Sequence, residues 1–140
     1  MASKTEGDVD ALDRASWNLL WFTDKSQAQY ERALRQAQLA YRLKPDKAAL
    51  LTNVGVAQYR TEQFESSVQT LLKSSELNQQ QRGQPFPSDL AFLAMAQHQH
   101  GQAEAARATL KRCRELMQLP QYMNLVKAKV FGTAIASRRR

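Results

Sequence analysis

The feature that most constrains this chain is a recurrence. With Trp21, Gly55 and Ala94 set at equivalent positions, each follows an apolar residue by one place (Leu20, Val54, Leu93) and another by four (Trp17, Leu51, Leu90). Nine residues past the anchors come Tyr30, Phe64 and Ala103, and three further on the small residues Ala33, Ser67 and Ala106. The correspondence continues through Ala37, Leu71 and Leu110, the small set Ala40, Ser74 and Cys113, and then Leu43, Leu77 and Leu116. The anchors lie 34 and 39 residues apart. Offsets of three and four place these residues on one face of a helix, and self-similarity at this period means stacked helical units.

Each unit therefore reads as two helices joined by a tight turn. The first helices are expected near 14–23, 48–60 and 88–99, and the second near 29–43, 63–77 and 103–117. Small residues at a fixed place let backbones approach closely while larger apolar groups fill the grooves beside them. Pro45 stands where a helix must stop, Asp46 is placed to start the next, Pro87-Ser88-Asp89 is a second start signal, and Gly101 permits a turn. The five extra residues of the longer interval fall in Asn78 to Pro87, a Gln-rich stretch with Gly and two Pro that reads as a loop. Residues 121–131 can form a seventh helix with Tyr122, Leu125, Val126 and Lys129 on one face, suited to cap the last unit. Residues 1–13 read as a flexible N-terminal segment and 132–140 as a flexible basic tail.

These residues carry a pattern that resembles the tetratricopeptide repeat. Residues 51–77, LTNVGVAQYRTEQFESSVQTLLKSSEL, are similar to one such repeat nearly throughout, and 89–117 resembles the repeats of large modular bacterial proteins. The first unit departs most, with Trp21 where a small residue is usual and Asp24 where an aromatic is usual; the second has Gln79 in place of the closing Pro. The resemblance implies an all-α fold, a right-handed α-α superhelix (solenoid) of three helix pairs plus a C-terminal capping helix, with units near 14–47, 48–81 and 87–120. It also implies a concave groove, lined by first helices, that binds a peptide of another protein. The positions it assigns to that groove are Asn18, Phe22 and Lys25, then Asn53, Val56 and Arg60, then Phe92, Met95 and Gln99. Trp17, Leu20, Gly55, Phe64, Leu71, Ala94, Ala106 and Leu110 take the packing roles. The family's Lys, Asn and Arg set for gripping a C-terminal carboxylate is incomplete, because Thr52, Ala91 and Met95 stand where charge or amide is needed.

Composition excludes several other classes. No apolar core follows the N-terminal charges and no run approaches the ~18 apolar residues of a membrane span, so a cytoplasmic chain without a membrane span is expected. The lone Cys113 can make no internal disulfide, and at the position of Ala40 and Ser74 it reads as a buried structural thiol. His98 and His100 lie two apart on a helix and point apart, so no metal site is expected. Trp17 and Trp21 read as core rather than as a ligand platform. The net charge of +7 is concentrated in 14–47 and in 118–140, where five basic residues face no acid. Arg32, Arg35, Arg42 and the terminal Arg138, Arg139 and Arg140 raise nucleic-acid binding as an alternative, but no aromatic residues interleave with the tail. No phosphate loop, nucleophile elbow or metal-protease motif is present, so neither an enzyme nor a cofactor site is expected. A protein-interaction adaptor is the leading expectation, with a structural or dimerisation fragment of a larger modular protein as the alternative.

Overall fold

The computed structural model describes residues 9, 11 and 25–123. Among them every regular element is an α-helix: α1 (Gln27–Leu43), α2 (Ala48–Arg60), α3 (Phe64–Arg82), α4 (Pro87–Gln99) and α5 (Ala103–Met117). Each helix packs on the next, and α2 also touches α4. The expected helices at 14–23 and 121–131 lie outside the described residues apart from the turn at 120–123, which is helical.

Local chemistry explains where the helices begin and end. Ser26 caps α1: its hydroxyl accepts from the Gln29 N–H at 3.2 Å, and the Gln29 side chain accepts from the Ser26 N–H at 2.9 Å. Two orphan donors of the first turn are thereby met. The buried stripe of α1 is Tyr30, Ala33, Ala37 and Ala40, small enough beyond Tyr30 for α2 to lie close. Chain entry into α2 differs from expectation, since the cap position falls on Lys47 and not on Asp46.

The two turns within helix pairs are copies of each other. The Gln63 N–H donates to the Gln58 carbonyl at 2.8 Å, and the Gln102 N–H to the Gln97 carbonyl at 2.8 Å. Such closure needs a left-handed residue in the middle. Gly101 supplies it at φ 81°, whereas Glu62 adopts φ 63° with a side chain present.

The Gln-rich stretch is a loop only over residues 83–86, shorter than expected. α3 continues through Asn78 to Arg82 and ends at Gly83, which is left-handed at φ 86°. Gln and Arg are good helix formers, so the inserted residues lengthen a helix until a glycine stops it. The extension is used: the Gln81 amide donates to the Asp46 carbonyl at 2.8 Å, tying α3 to the turn before α2.

One core runs through the stack, combining Tyr30 and Ala33 of α1, Val56 and Ala57 of α2, Val68 and Leu71 of α3, Leu90, Phe92, Leu93 and Ala96 of α4, and Cys113 of α5. A smaller cluster joins Val9 to Ala40 and Leu50. Val9 is helical and buried, so this apolar residue of segment 1–13 is packed over the small Ala40. α2 is enclosed from Leu50 to Ala57, as its near-continuous apolar sequence demands. Its closest neighbour is α3. A Cβ built on Gly55 would stand 2.6 Å from Leu71 Cγ, and the Ser67 hydroxyl donates to the Gly55 carbonyl at 2.7 Å. Glycine is present here for closeness, not for conformational freedom.

Candidate protein-binding surface

The face shared by α2 and α4 holds most of the residues assigned to the groove. Asn18 and Phe22 lie outside the described residues, as do the packing positions Trp17 and Leu20; Lys25 and Arg60 are half-buried. Asn53, Val56 and Phe92 are buried, with Val56 only 1% exposed. Met95 and Gln99 are exposed. Val56 and Phe92 thus belong to the core rather than to an open groove. Among the packing residues, Gly55, Leu71, Ala94 and Ala106 are buried, Phe64 is half-buried, and Leu110 is 39% exposed.

Three rings meet around Arg60. Its guanidinium carbon lies 5.8 Å from the Tyr30 ring centre, 5.9 Å from Tyr59 and 5.5 Å from Phe92. Tyr59 packs edge-on to Phe92 at 6.0 Å and tilted to Phe64 at 5.6 Å. Edge-to-face pairs and a cation near ring faces are mutually favourable. The arrangement brings α1, α2, α3 and α4 to one point. Tyr59 escaped the sequence reading, although its adjacency to Arg60 and its place three residues past Val56 were visible.

Below this face a polar site joins α2, α3 and α4. The Asp89 carboxylate, 1% exposed, accepts from the Thr52 hydroxyl at 3.0 Å, the Asn78 amide at 2.8 Å and the Phe86 N–H at 3.1 Å. Burial pushes the Asp89 carboxyl above its usual range, against the opposing pull of these hydrogen bonds and of Arg82. Asp89 both starts α4 and locks it to the preceding helix pair. Its partner Asn78 lies in the stretch that had read as a loop, which is why the constellation was not legible.

Cys113 is buried, and its thiol donates to the Pro87 carbonyl at 3.4 Å. Burial raises the thiol's pKa, outweighing Arg114. It is a packing group, not a poised nucleophile. His98 and His100 are exposed.

A second surface feature lies between α4 and α5. A groove of about 530 Å³ is lined by Ala91, Ala94, Met95, His98, Ala103, Ala106, Arg107 and Leu110. Each stands 39 places after its counterpart in the α2–α3 pair: Thr52, Gly55, Val56, Tyr59, Phe64, Ser67, Val68 and Leu71. In that pair α4 reaches Thr52 through Asp89 and Tyr59 through Phe92.

Comparisons with known proteins give a likeness in fold. No family model matches the chain, and no curated protein matches it in sequence. Among solved structures the fold is similar to the type III secretion translocator chaperone SycD of Yersinia enterocolitica, in a structure described as an alternative dimer. The two share 15% identity and a TM-score of 0.68 over 97% of each chain. The fold is all-helical and TPR-like. No helix among the described residues is long and apolar enough to cross a membrane.

Proposed function

We propose that this chain is a chaperone-like adaptor that binds a segment of a partner protein along the face shared by α2 and α4. The observation that carries the reading is the Arg60 cluster. A half-buried arginine amid three rings, with Met95 and Gln99 exposed on α4, offers a partner segment apolar contact and, at Gln99, a hydrogen-bonding amide. Aromatic and arginine side chains of this kind anchor protein interfaces, since they bury much area with little loss of side-chain freedom. Shape likeness to a translocator chaperone along 97% of both chains supports the same reading. The role needs no catalytic group or cofactor and suits a cytoplasmic protein. Self-association is a second reading, favoured by the neighbour's description as a dimer.

Burial decides which substitutions test the proposal. Changes at Asn53, Val56 or Phe92 strike the core, so loss of binding there would report on folding. Arg60→Ala and Gln99→Ala alter the rim instead. Capture from the native cytosol with the tagged parent and the double variant, both verified as folded by circular dichroism, should recover a partner with the parent and lose it with the variant. Equal recovery by both would refute the assigned face.

A further inference from the structure

The second helices α3 and α5 both pack on α4 but not on each other, and a groove runs between them. It holds two adjoining cavities. The larger, about 500 Å³, is lined by Leu72, Ser75, Glu76 and Gln79 of α3, Leu93 of α4 and Arg112 of α5. The smaller, about 210 Å³, shares Gln79 and Arg112 and adds Leu90, Leu116 and Leu119. The Arg112 guanidinium crosses the groove, donating to the Gln79 side-chain oxygen at 3.5 Å. Gln84 and Pro85 wall the smaller cavity, and both belong to the stretch that makes this interval five residues longer than the one before it.

Ser75 marks what the larger cavity lacks. The residue is buried at 6% exposure, yet its hydroxyl has no hydrogen-bond partner among the described residues. Buried hydroxyls are ordinarily paired, so this one is left for a group that enters from outside. An equivalent helix shows what suits the place. α1 corresponds to α3 at an offset of 34, and there Tyr41 stands where α3 has Ser75 and packs against Val9, Ala40 and Leu50. With serine instead, the place of a ring stays open beside Leu93 and Leu72, the latter 49% exposed. A phenol both donates and accepts, so it can pair with the serine hydroxyl in either sense.

Charge fixes the rest of the occupant. Among the described residues Arg112 is the one basic side chain lining these cavities, and it lines both, whereas Glu76 lines the larger and Glu115 the smaller. A guanidinium presents a fork of N–H donors that a carboxylate accepts two at a time. The complement of the groove is therefore a segment with one carboxylate at its centre and no acid opposite Glu76 or Glu115. We propose that the α3–α5 groove is a second docking site, for a segment of a partner protein that inserts a tyrosine beside Ser75 and sets a carboxylate on Arg112. The site uses no residue of the Arg60 cluster, so it goes beyond the binding proposed above and stands or falls apart from it.

The test pans random peptides displayed on phage against the full chain, after depletion on a Ser75→Tyr, Arg112→Glu double variant that removes peptides bound elsewhere. Circular dichroism verifies that every variant is folded. Enriched peptides should carry a tyrosine close to a single Asp or Glu. They should bind about tenfold more weakly to Ser75→Tyr, whose own ring fills the cavity, and to Arg112→Glu, which reverses the central charge. Arg60→Ala with Gln99→Ala should leave their affinity unchanged. No enrichment over the depleted library, enriched peptides without the tyrosine and acid, equal affinity for parent and groove variants, or loss of binding in the Arg60→Ala, Gln99→Ala variant would each overturn the inference.

Discussion

The α2–α3 and α4–α5 pairs are two renderings of one plan, 39 residues apart. They share their turn geometry and their pattern of small and large positions, yet one is sealed and the other is not. In α2–α3 the floor is Gly55 and Ser67, and the wall is Leu71, which joins one core cluster with Leu90, Phe92, Leu93 and Ala96 of α4. In α4–α5 the floor is Ala94 and Ala106, the wall is Leu110, and a groove remains among the described residues. A single substitution type should therefore have unequal consequences in the two pairs, and that inequality is what the plan predicts.

The largest effect is expected at the wall. Leu71 is fully buried, so Leu71→Ala should cost about 3 kcal/mol through lost transfer energy and an unfilled cavity. Leu110→Ala, at a position 39% exposed, should cost half of that or less. Denaturant unfolding of both variants at unchanged m-value measures the contrast, and equal costs would break the comparison.

The seam between pairs comes next. Asp89→Ala leaves the Thr52 hydroxyl, the Asn78 amide and the Phe86 N–H without their acceptor, a loss of about 2 to 3 kcal/mol for buried donors. Acidity adds a signature. Burial holds the folded Asp89 pKa above 3.8, so the folded state binds this proton more readily than the unfolded chain. The carboxyl's contribution to stability is therefore greatest at low pH and falls as pH rises through the raised folded value. The stability of the parent relative to Asp89→Asn, which does not titrate, should decline over the same interval in parallel denaturation series.

At the floor, Gly55→Ala should cost about 2 kcal/mol, because the new Cβ meets the Leu71 side chain at 2.6 Å and that side chain or its helix must shift. The mirror change Ala94→Gly should cost about 1 kcal/mol, for helix propensity and not for space. Calorimetric melting separates them if Leu71→Ala rescues Gly55→Ala.

The smallest effect belongs to the turns. Glu62 pays for a left-handed backbone that Gly101 adopts freely. Gly101→Ala should destabilise by about 1 kcal/mol, and Glu62→Gly should gain somewhat less than that, since glycine also loosens the unfolded chain. Melting temperatures of the two variants check the opposite signs.

Much of this was legible in the residues because it depends on local rules. Helical offsets placed α2, α4 and α5 within a residue of their ends, and the small-residue register picked out Gly55, Ser67, Ala94 and Ala106 as close-packing positions. What failed depended on distant partners. Gln79, Gln80 and Gln81 read as part of a loop with Gly83 and Pro85, although each continues the helix once Asn78 is anchored to Asp89. Asn53, Val56 and Phe92 were assigned to an open groove by position within a unit, whereas α4 lying against α2 closes Val56 and Phe92 into the seam. The Arg60 cluster draws on α1, α2 and α4, and no single stretch announces it.

The central claim is that a protein segment binds along the first helices α2 and α4. Hydrogen exchange of the full chain, with and without the recovered partner, tests it most directly. The account predicts slowed exchange at the C-terminal ends of α2 and α4, around Arg60 and Gln99, with α3 unchanged. Protection confined to α3, or no change in α2 and α4 despite a formed complex, would contradict it.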